Sequence, residues 1–292
     1  MRVLNFGSLN LDYVYAVPRF VRPGETLAAE NRRVMPGGKG LNQSVALARA
    51  GCCVFHAGCV GEGGEDLKKL LEDSGADTSL LKRVNEAQGH TVIQVAPDGE
   101  NCILLFGGSN LCVTREQAVS ALALFGPGDW LLLQNEIGLL PFIAEEGYRR
   151  GMTVVLNPSP YGPAVGETDL NKVSWLLINE VEAEQMTGSA DPDGAWARLH
   201  AMYPRLSALI TLGDKGSVCF APDGARVWQD AFRVRAADTT GAGDTYTGYF
   251  IAGLTEGLPL QKCMALASRA AAVSVTRPGA ASSIPRREEL PV

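Results

Sequence analysis

The residues able to do chemistry cluster in two glycine-rich stretches. The later one, Asp238-Thr239-Thr240-Gly241-Ala242-Gly243-Asp244-Thr245, joins a strand-like run, Ala231 to Ala237, to a helix-compatible run, Thr245 to Leu254. Gly241 and Gly243 let the backbone turn tightly and approach a ligand, while the first N–H groups of the following helix lack intrahelical acceptors. Such a turn holds negative charge. Asp244 lies inside it, where a carboxylate could take the proton of a hydroxyl attacking a phosphate. Taken singly, an Asp or Thr at a helix start is more often a cap.

The earlier stretch, Met35-Pro36-Gly37-Gly38-Lys39-Gly40-Leu41-Asn42-Gln43, leads into an Ala-rich helix, Ser44 to Ala50, closed by Gly51. It again delivers polar groups to a helix N-terminus. It is not a Walker loop: Arg33 stands where the first glycine is required, and Gly40 replaces the Ser or Thr after the lysine.

The elements that must position these groups follow from periodicity. Val3 to Gly7 is a strand, and period-2 spacing puts Asn10 and Asp12 on one face beyond it. The segment Tyr13 to Val34, broken by Pro18, Pro23 and Gly24, reads as an excursion from the main sheet. His90 to Phe106, with Asp98-Gly99 at its centre, reads as a hairpin. Helices are expected over Asp66 to Ser74, Arg115 to Leu124, Pro141 to Gly151, Ala195 to Met202 and Leu260 to Val275. Strands between them end in polar groups: Asn135-Glu136, Asn157, Asn179 with Glu182, and Thr211-Leu212-Gly213-Asp214-Lys215-Gly216. A second hairpin is expected around Asp223-Gly224. Strands alternating with helices predict an α/β fold, with a mostly parallel sheet covered on both faces and a ligand cleft beyond the strands' carboxyl ends.

Composition narrows the function classes. The chain has 292 residues, 46% of them hydrophobic, enough for one large α/β domain. A net charge of -6 without basic runs argues against a nucleic-acid or polybasic membrane surface, so small molecules are the expected partners. Seven cysteines without C-x-x-C spacing read as buried free thiols. His56, His90 and His200 have no metal-ligand spacing, and no G-x-S-x-G elbow or dinucleotide fingerprint is present. With no apolar leader or bilayer-length run, a cytoplasmic location is expected.

Together the two glycine stretches resemble the signature motifs of the ribokinase-like (PfkB) carbohydrate kinase family. The likeness extends to Gly7-Ser8-Leu9-Asn10-Leu11-Asp12, Asn179-x-x-Glu182, Thr211-x-Gly213 and Val275-Thr276-Arg277-x-Gly279-Ala280, nearly the whole chain in order. Within the family it is nearest to the ribokinases, whose sugar-facing groups resemble Asn10-x-Asp12, Asn42 and Gln43.

The resemblance implies a single domain over 1–292 with a small β-sheet lid from about 11–34 and 90–106. It implies phosphorylation of a small sugar by ATP at its primary hydroxyl, D-ribose first. Another sugar, 2-keto-3-deoxygluconate or a nucleoside is the alternative, and a non-catalytic sugar or nucleotide sensor is a further one. By carry-over, Asn10, Asp12, Gly38, Lys39, Asn42, Glu136 and Asp244 contact the sugar, and Asp244 is the base, with Gly241, Ala242 and Gly243 forming the anion hole. Asn179, Thr211, Gly213, Gly216 and Gly243 lie on the ATP side, and Glu182 acts on Mg²⁺ through water. Asp238, Thr240, Ser274, Arg277, Gly279 and Ser283 match a monovalent-cation (K⁺) site. The resemblance further implies a homodimer through the lids. Tyr13, Tyr15, Ile93 and Leu105 are expected to shape sugar choice. Pro278, and Ser268-Arg269 near the expected adenine position, depart from the family pattern.

Overall fold

The apolar runs pair into one nine-stranded sheet. The structure, a computed structural model, describes residues 1–290. In chain order the strands are β1 (Arg2–Phe6), β2 (Asn10–Ala16), β3 (Asn31–Gly37), β4 (Cys53–Glu62), β5 (Asp77–Ala87), β6 (His90–Val95), β7 (Asn101–Phe106), β8 (Trp130–Gln134), β9 (Thr153–Asn157), β10 (Trp175–Asn179), β11 (Ser207–Thr211), β12 (Ser217–Phe220) and β13 (Arg226–Gln229). The helices are α1 (Lys39–Arg49), α2 (Glu65–Ser74), α3 (Arg115–Leu122), α4 (Leu140–Arg149), α5 (Pro163–Gly166), α6 (Glu180–Thr187), α7 (Pro192–Met202), α8 (Ala242–Thr255) and α9 (Leu260–Ser274). The main sheet runs β13-β12-β11-β10-β9-β8-β1-β4-β5 and is parallel from β11 to β5, with β12 and β13 added antiparallel.

Period-2 alternation divides the central strands between two cores. Leu4, Phe6, Leu131 and Leu133 pack with α3, α4 and α7 on one face, whereas Val3, Leu132, Val155 and Leu177 pack with α1, α2, α8 and α9 on the other. Both faces are thereby dry, and polar side chains gather at the carboxyl ends of the strands.

The two excursions meet in a second sheet, ordered β3-β2-β6-β7. Its hairpins β2–β3 and β6–β7 are antiparallel, and β2 joins β6 in parallel, pairing Asp12 with Met35 on one side and Thr91 on the other. Gly99 takes φ 88 at the β6–β7 turn, the left-handed geometry that Asp-Gly favours.

Several local expectations differ from the structure. Ala231 to Ala237 forms no strand: Arg233 and Arg235 alternate with exposed Phe232 and Val234, so the run has no sheet face to bury against. It is tied down at its end, where the N–H groups of Ala237 and Asp238 both donate to Val275 O. β5 was not expected, because this edge strand is largely exposed and lacks clean alternation. α1 begins at Lys39 rather than Ser44, with Gly38 at φ 93 as its N-cap. All seven cysteines are free, but only Cys59, Cys219 and Cys263 are buried, while Cys53 and Cys102 are exposed. Among the described residues no helix is long and apolar enough to cross a membrane.

Candidate active site

α8 starts at Gly241, whose φ of 74 brings its backbone against Ala280. Ala242 donates its N–H to Thr239 O at 3.3 Å, while Gly243 and Asp244 follow as the second and third helical residues, whose N–H groups have no acceptor within the helix. A Cβ at Gly243 would meet nothing within 4 Å, so this turn opens onto free space. That space is a cavity of about 170 Å³ lined by Lys39, Asn179, Glu182, Thr211 and the Gly241–Asp244 turn. Asp244 is buried at its rim, accepting from Asn42 Nδ2 at 2.9 Å and Gln43 Nε2 at 2.8 Å. Gln43 therefore faces Asp244, whereas the family resemblance places it toward the sugar.

Lys39 sits among four carboxylates. Burial alone would lower its pKa, but Asp244, Glu136, Glu182 and Asp12 together raise it above its usual value. Glu136 is pushed up by burial and pulled back by Lys39; its Oε2 accepts from Ser8 Oγ (2.5 Å) and from the Lys39 N–H (3.0 Å).

Asp12 projects from β2 into a larger cleft of about 850 Å³ between the small sheet and residues 236–240. Its Oδ1 accepts from Thr91 Oγ1 at 2.6 Å. A Cβ at Gly37 would lie 1.9 Å from Asp12 Oδ2, so glycine there makes room for the carboxylate. Burial raises the Asp12 pKa, offset only in part by Thr91 and Lys39. Asn10 is buried with its Oδ1 taken by Asn110 Nδ2 (2.7 Å), so donation is what its side chain has left to offer. Asn42 Oδ1 is buried without a protein partner, an acceptor suited to a ligand hydroxyl.

On the opposite side, Asn179 caps α6 and exchanges hydrogen bonds with Glu182: its Oδ1 accepts from the Glu182 N–H (2.8 Å), and Glu182 Oε2 accepts from its N–H (3.1 Å). Glu182 is buried at the cavity rather than lying on the surface, leaving its second carboxylate oxygen for water or a hydrated ion. Thr211 lines the same cavity and donates weakly to Ile178 O. Gly213 takes φ 59 just beyond it. Gly216 is required for another reason as well: a Cβ there would lie 2.1 Å from Gln229 O of β13.

The residues matching a cation site come together from two segments. Asp238 Oδ1 accepts from the N–H and hydroxyl of Thr240, and its Oδ2 accepts from the Gly279 N–H at 2.8 Å. Burial would raise the Asp238 pKa, but these bonds hold it below the ordinary value, so the carboxylate stays charged. Ser274 and Ser283 are buried with hydroxyls donated to Ala271 O and Ala280 O, and the Arg277 guanidinium pairs with Glu289. Among the described residues no cluster of three or more His, Cys, Asp or Glu could hold a metal. Of the departures, Ser268 is buried and donates to Asp230 O at 3.4 Å, and the Arg269 guanidinium lies over Phe232.

The sequence points to no role for Thr91, Asn110 or Gln134, and gives Ser8 and Asn157 only a place in a motif and at a polar strand end. Each is a polar residue that a surface loop would also accept, and only its long-range partner gives it a role.

A family model described as pfkB family carbohydrate kinase matches residues 2–287. The chain belongs to that family of carbohydrate kinases. The kinase is 37% identical over 292 residues to a ribokinase of Haemophilus influenzae, covering 97% of this chain and 95% of that one. Its fold matches a ribokinase of Cryptococcus neoformans in complex with ADP, with TM-score 0.86, 35% identity, and coverage of 98% and 97%. It also matches an Arabidopsis thaliana ribokinase complexed with ribose and ATP, with TM-score 0.88, 29% identity, and coverage of 98% and 96%. The nine-stranded α/β sheet with its small lid sheet is thus the ribokinase-like fold.

Proposed function

We propose that this kinase transfers the γ-phosphate of ATP to the primary hydroxyl of D-ribose, giving ribose 5-phosphate. The observation that carries the reading is the Asp244 carboxylate, held by two amide donors between the open Gly243 turn and the cleft bearing Asp12. Asp12 accepts hydrogen bonds from vicinal sugar hydroxyls, Asn10 donates to the sugar, and Asn42 Oδ1 accepts from it. Gly38 and the helix start at Lys39 close around the sugar, with Glu136 fixing the Lys39 backbone. Asp244 takes the hydroxyl proton as the sugar oxygen bonds to the γ-phosphorus and the bond to ADP breaks. The free N–H groups of Gly243 and Asp244 at the start of α8 and the Lys39 ammonium balance the charge that shifts onto the transferring group, with the Ala242 N–H turned to Thr239 O. Asn179, Thr211, Gly213 and Gly216 line the ATP side. Mg²⁺, bound with the triphosphate, would neutralise phosphate charge, and Glu182 is the buried carboxylate placed to hold its water shell.

A panel of ribose, 2-deoxyribose, other pentoses, ketoses, 2-keto-3-deoxygluconate and nucleosides in a coupled ADP-release assay tests the substrate. Ribose is expected to give the highest kcat/KM. If no sugar or nucleoside accelerates ADP release while one of them still raises the melting temperature, a sensor role replaces catalysis. Asp238 and the carbonyls of 274–283 support a K⁺ site beside the anion hole, so the same assay should run faster in K⁺ than in a bulky organic cation at equal ionic strength. Equal rates remove that site.

The raised pKa of Asp12 gives a pH signature. A carboxyl with its folded pKa above 3.8 binds its proton more readily folded than unfolded, so its ionisation opposes folding as pH rises through that value. Sugar binding needs the ionised form. KM for the sugar is therefore expected to rise as pH falls, beginning above the usual carboxylate range, and Asp12→Asn should lack this limb. A KM that stays flat down to acid unfolding removes Asp12 from the sugar site.

The β7 edge supports a homodimer through the lids. All six of its residues are exposed, including Ile103, Leu104 at 70%, Leu105 and Phe106. An apolar sheet edge of this kind is ordinarily covered. Light scattering at micromolar concentration is expected to give twice the chain mass, and a monomer would rule the dimer out.

A further inference from the structure

Behind Asp244 runs a chain of side-chain amides, buried except at its Asn157 end, whose direction follows from its ends. At one end, Asn5 gives its Nδ2 to Gly40 O (2.8 Å) and Ser44 Oγ (2.7 Å), so its Oδ1 is the atom left for the next member. Gln134 Nε2 fills that position at 2.9 Å and gives its other hydrogen to Gln43 Oε1 at 2.7 Å. At the other end, Asn157 Nδ2 is committed to Leu177 O at 2.8 Å, so its Oδ1 faces Gln43. Gln43 is fully buried between these two, with its carbonyl occupied by a donor and one N–H claimed by Asn157 at 2.9 Å. Its remaining N–H has one orientation left, toward Asp244 Oδ1 at 2.8 Å.

An amide free to flip could present either a carbonyl or an N–H to the base. Here backbone carbonyls on two elements, Gly40 O and Leu177 O, exclude the first. The polarity leaves Gln134 Oε1 buried without a partner beside Gly7, a deficit that a chain serving only packing would have no reason to keep.

We propose that Gln43, oriented by Gln134, Asn5 and Asn157, is a positioning residue for Asp244: it holds the carboxylate in one rotamer, aimed to accept the sugar proton. The inference rests on the reading of Asp244 as the base. Gln43 has no free polar group for either substrate, so its effect should fall on kcat and not on KM.

The test is a double-mutant cycle on kcat. Gln43→Met is expected to lower kcat about tenfold, the scale of losing a hydrogen bond to a charged group, with both KM values within about twofold. In an Asp244→Ala background the same substitution should change kcat by less than about twofold, because the group it acts through is gone. A tenfold loss in both backgrounds, or a KM that rises in step with the loss of kcat, overturns the proposal and leaves Gln43 as ordinary core. Gln134→Met is the second variant, for the case where Gln43→Met does not fold. It touches Asp244 only through Gln43 and should lower kcat about threefold, again only when Asp244 is present; a wild-type kcat, or a loss equal in both backgrounds, overturns the relay. The underlying reading fails separately: if Asp244→Asn alone leaves kcat unchanged, Asp244 is not the base, whatever Gln43 does.

Discussion

Asp244→Asn is expected to lower kcat by roughly three orders of magnitude, the middle of the range for loss of a general base. Two effects add. The amide cannot take the sugar proton, and it also fits the pocket poorly. Asn42 and Gln43 both present N–H groups to the two oxygens of Asp244, so an asparagine satisfies one of them and sets a donor against the other. Binding of sugar and nucleotide should persist, because Asp12, Asn10 and the helix start are untouched. The measurement is single-turnover ADP release together with ligand-induced shifts in melting temperature. A kcat within tenfold of the parent would mean that the proton leaves by another route.

Gly40→Ala is the second large effect, and it acts through backbone. A Cβ at this position would lie 2.2 Å from the Ser8 N and 2.5 and 2.6 Å from the carbonyl carbon and Cα of Gly7. None of these atoms belongs to a side chain that could turn away, so the end of β1 and the start of α1 must separate. Overpacking of this kind costs about 1–3 kcal/mol, and here the displaced helix carries Lys39, Asn42 and Gln43. The Gly40 N–H bond to Ser8 Oγ, which in turn holds Glu136, would be lost with it. A lower urea midpoint with unchanged slope and a kcat reduced by at least tenfold are expected. A variant with parental stability and rate would show that the contact relaxes without moving the helix.

Much of this kinase is local and therefore legible in the sequence. The short continuous apolar runs of β8 and β9, the helical spacing of α4 and α9, and the Asp-Gly turns depend on neighbours a few residues apart, and these locate the central sheet, the hairpins and the cleft. The glycine turn before Asp244 is legible for the same reason: positive φ and free N–H groups belong to the backbone of the turn itself. The errors lie where local preference is weak or overridden. β5 is a polar edge strand held by β4, and 231–237 has strand-like residues but no sheet face to bury them.

The sequence by itself determined the α/β order and the two glycine turns, and it singled out Asp244 as the candidate base. Only the tertiary structure decided which way each polar side chain faces. Gln43 meets Asp244 across 201 residues, Asn10 meets Asn110 across 100, and Ser8 meets Glu136 across 128. An amide or hydroxyl has no preferred direction of its own; it takes one from the donors and acceptors that folding places around it, and those come from elements far apart in the chain.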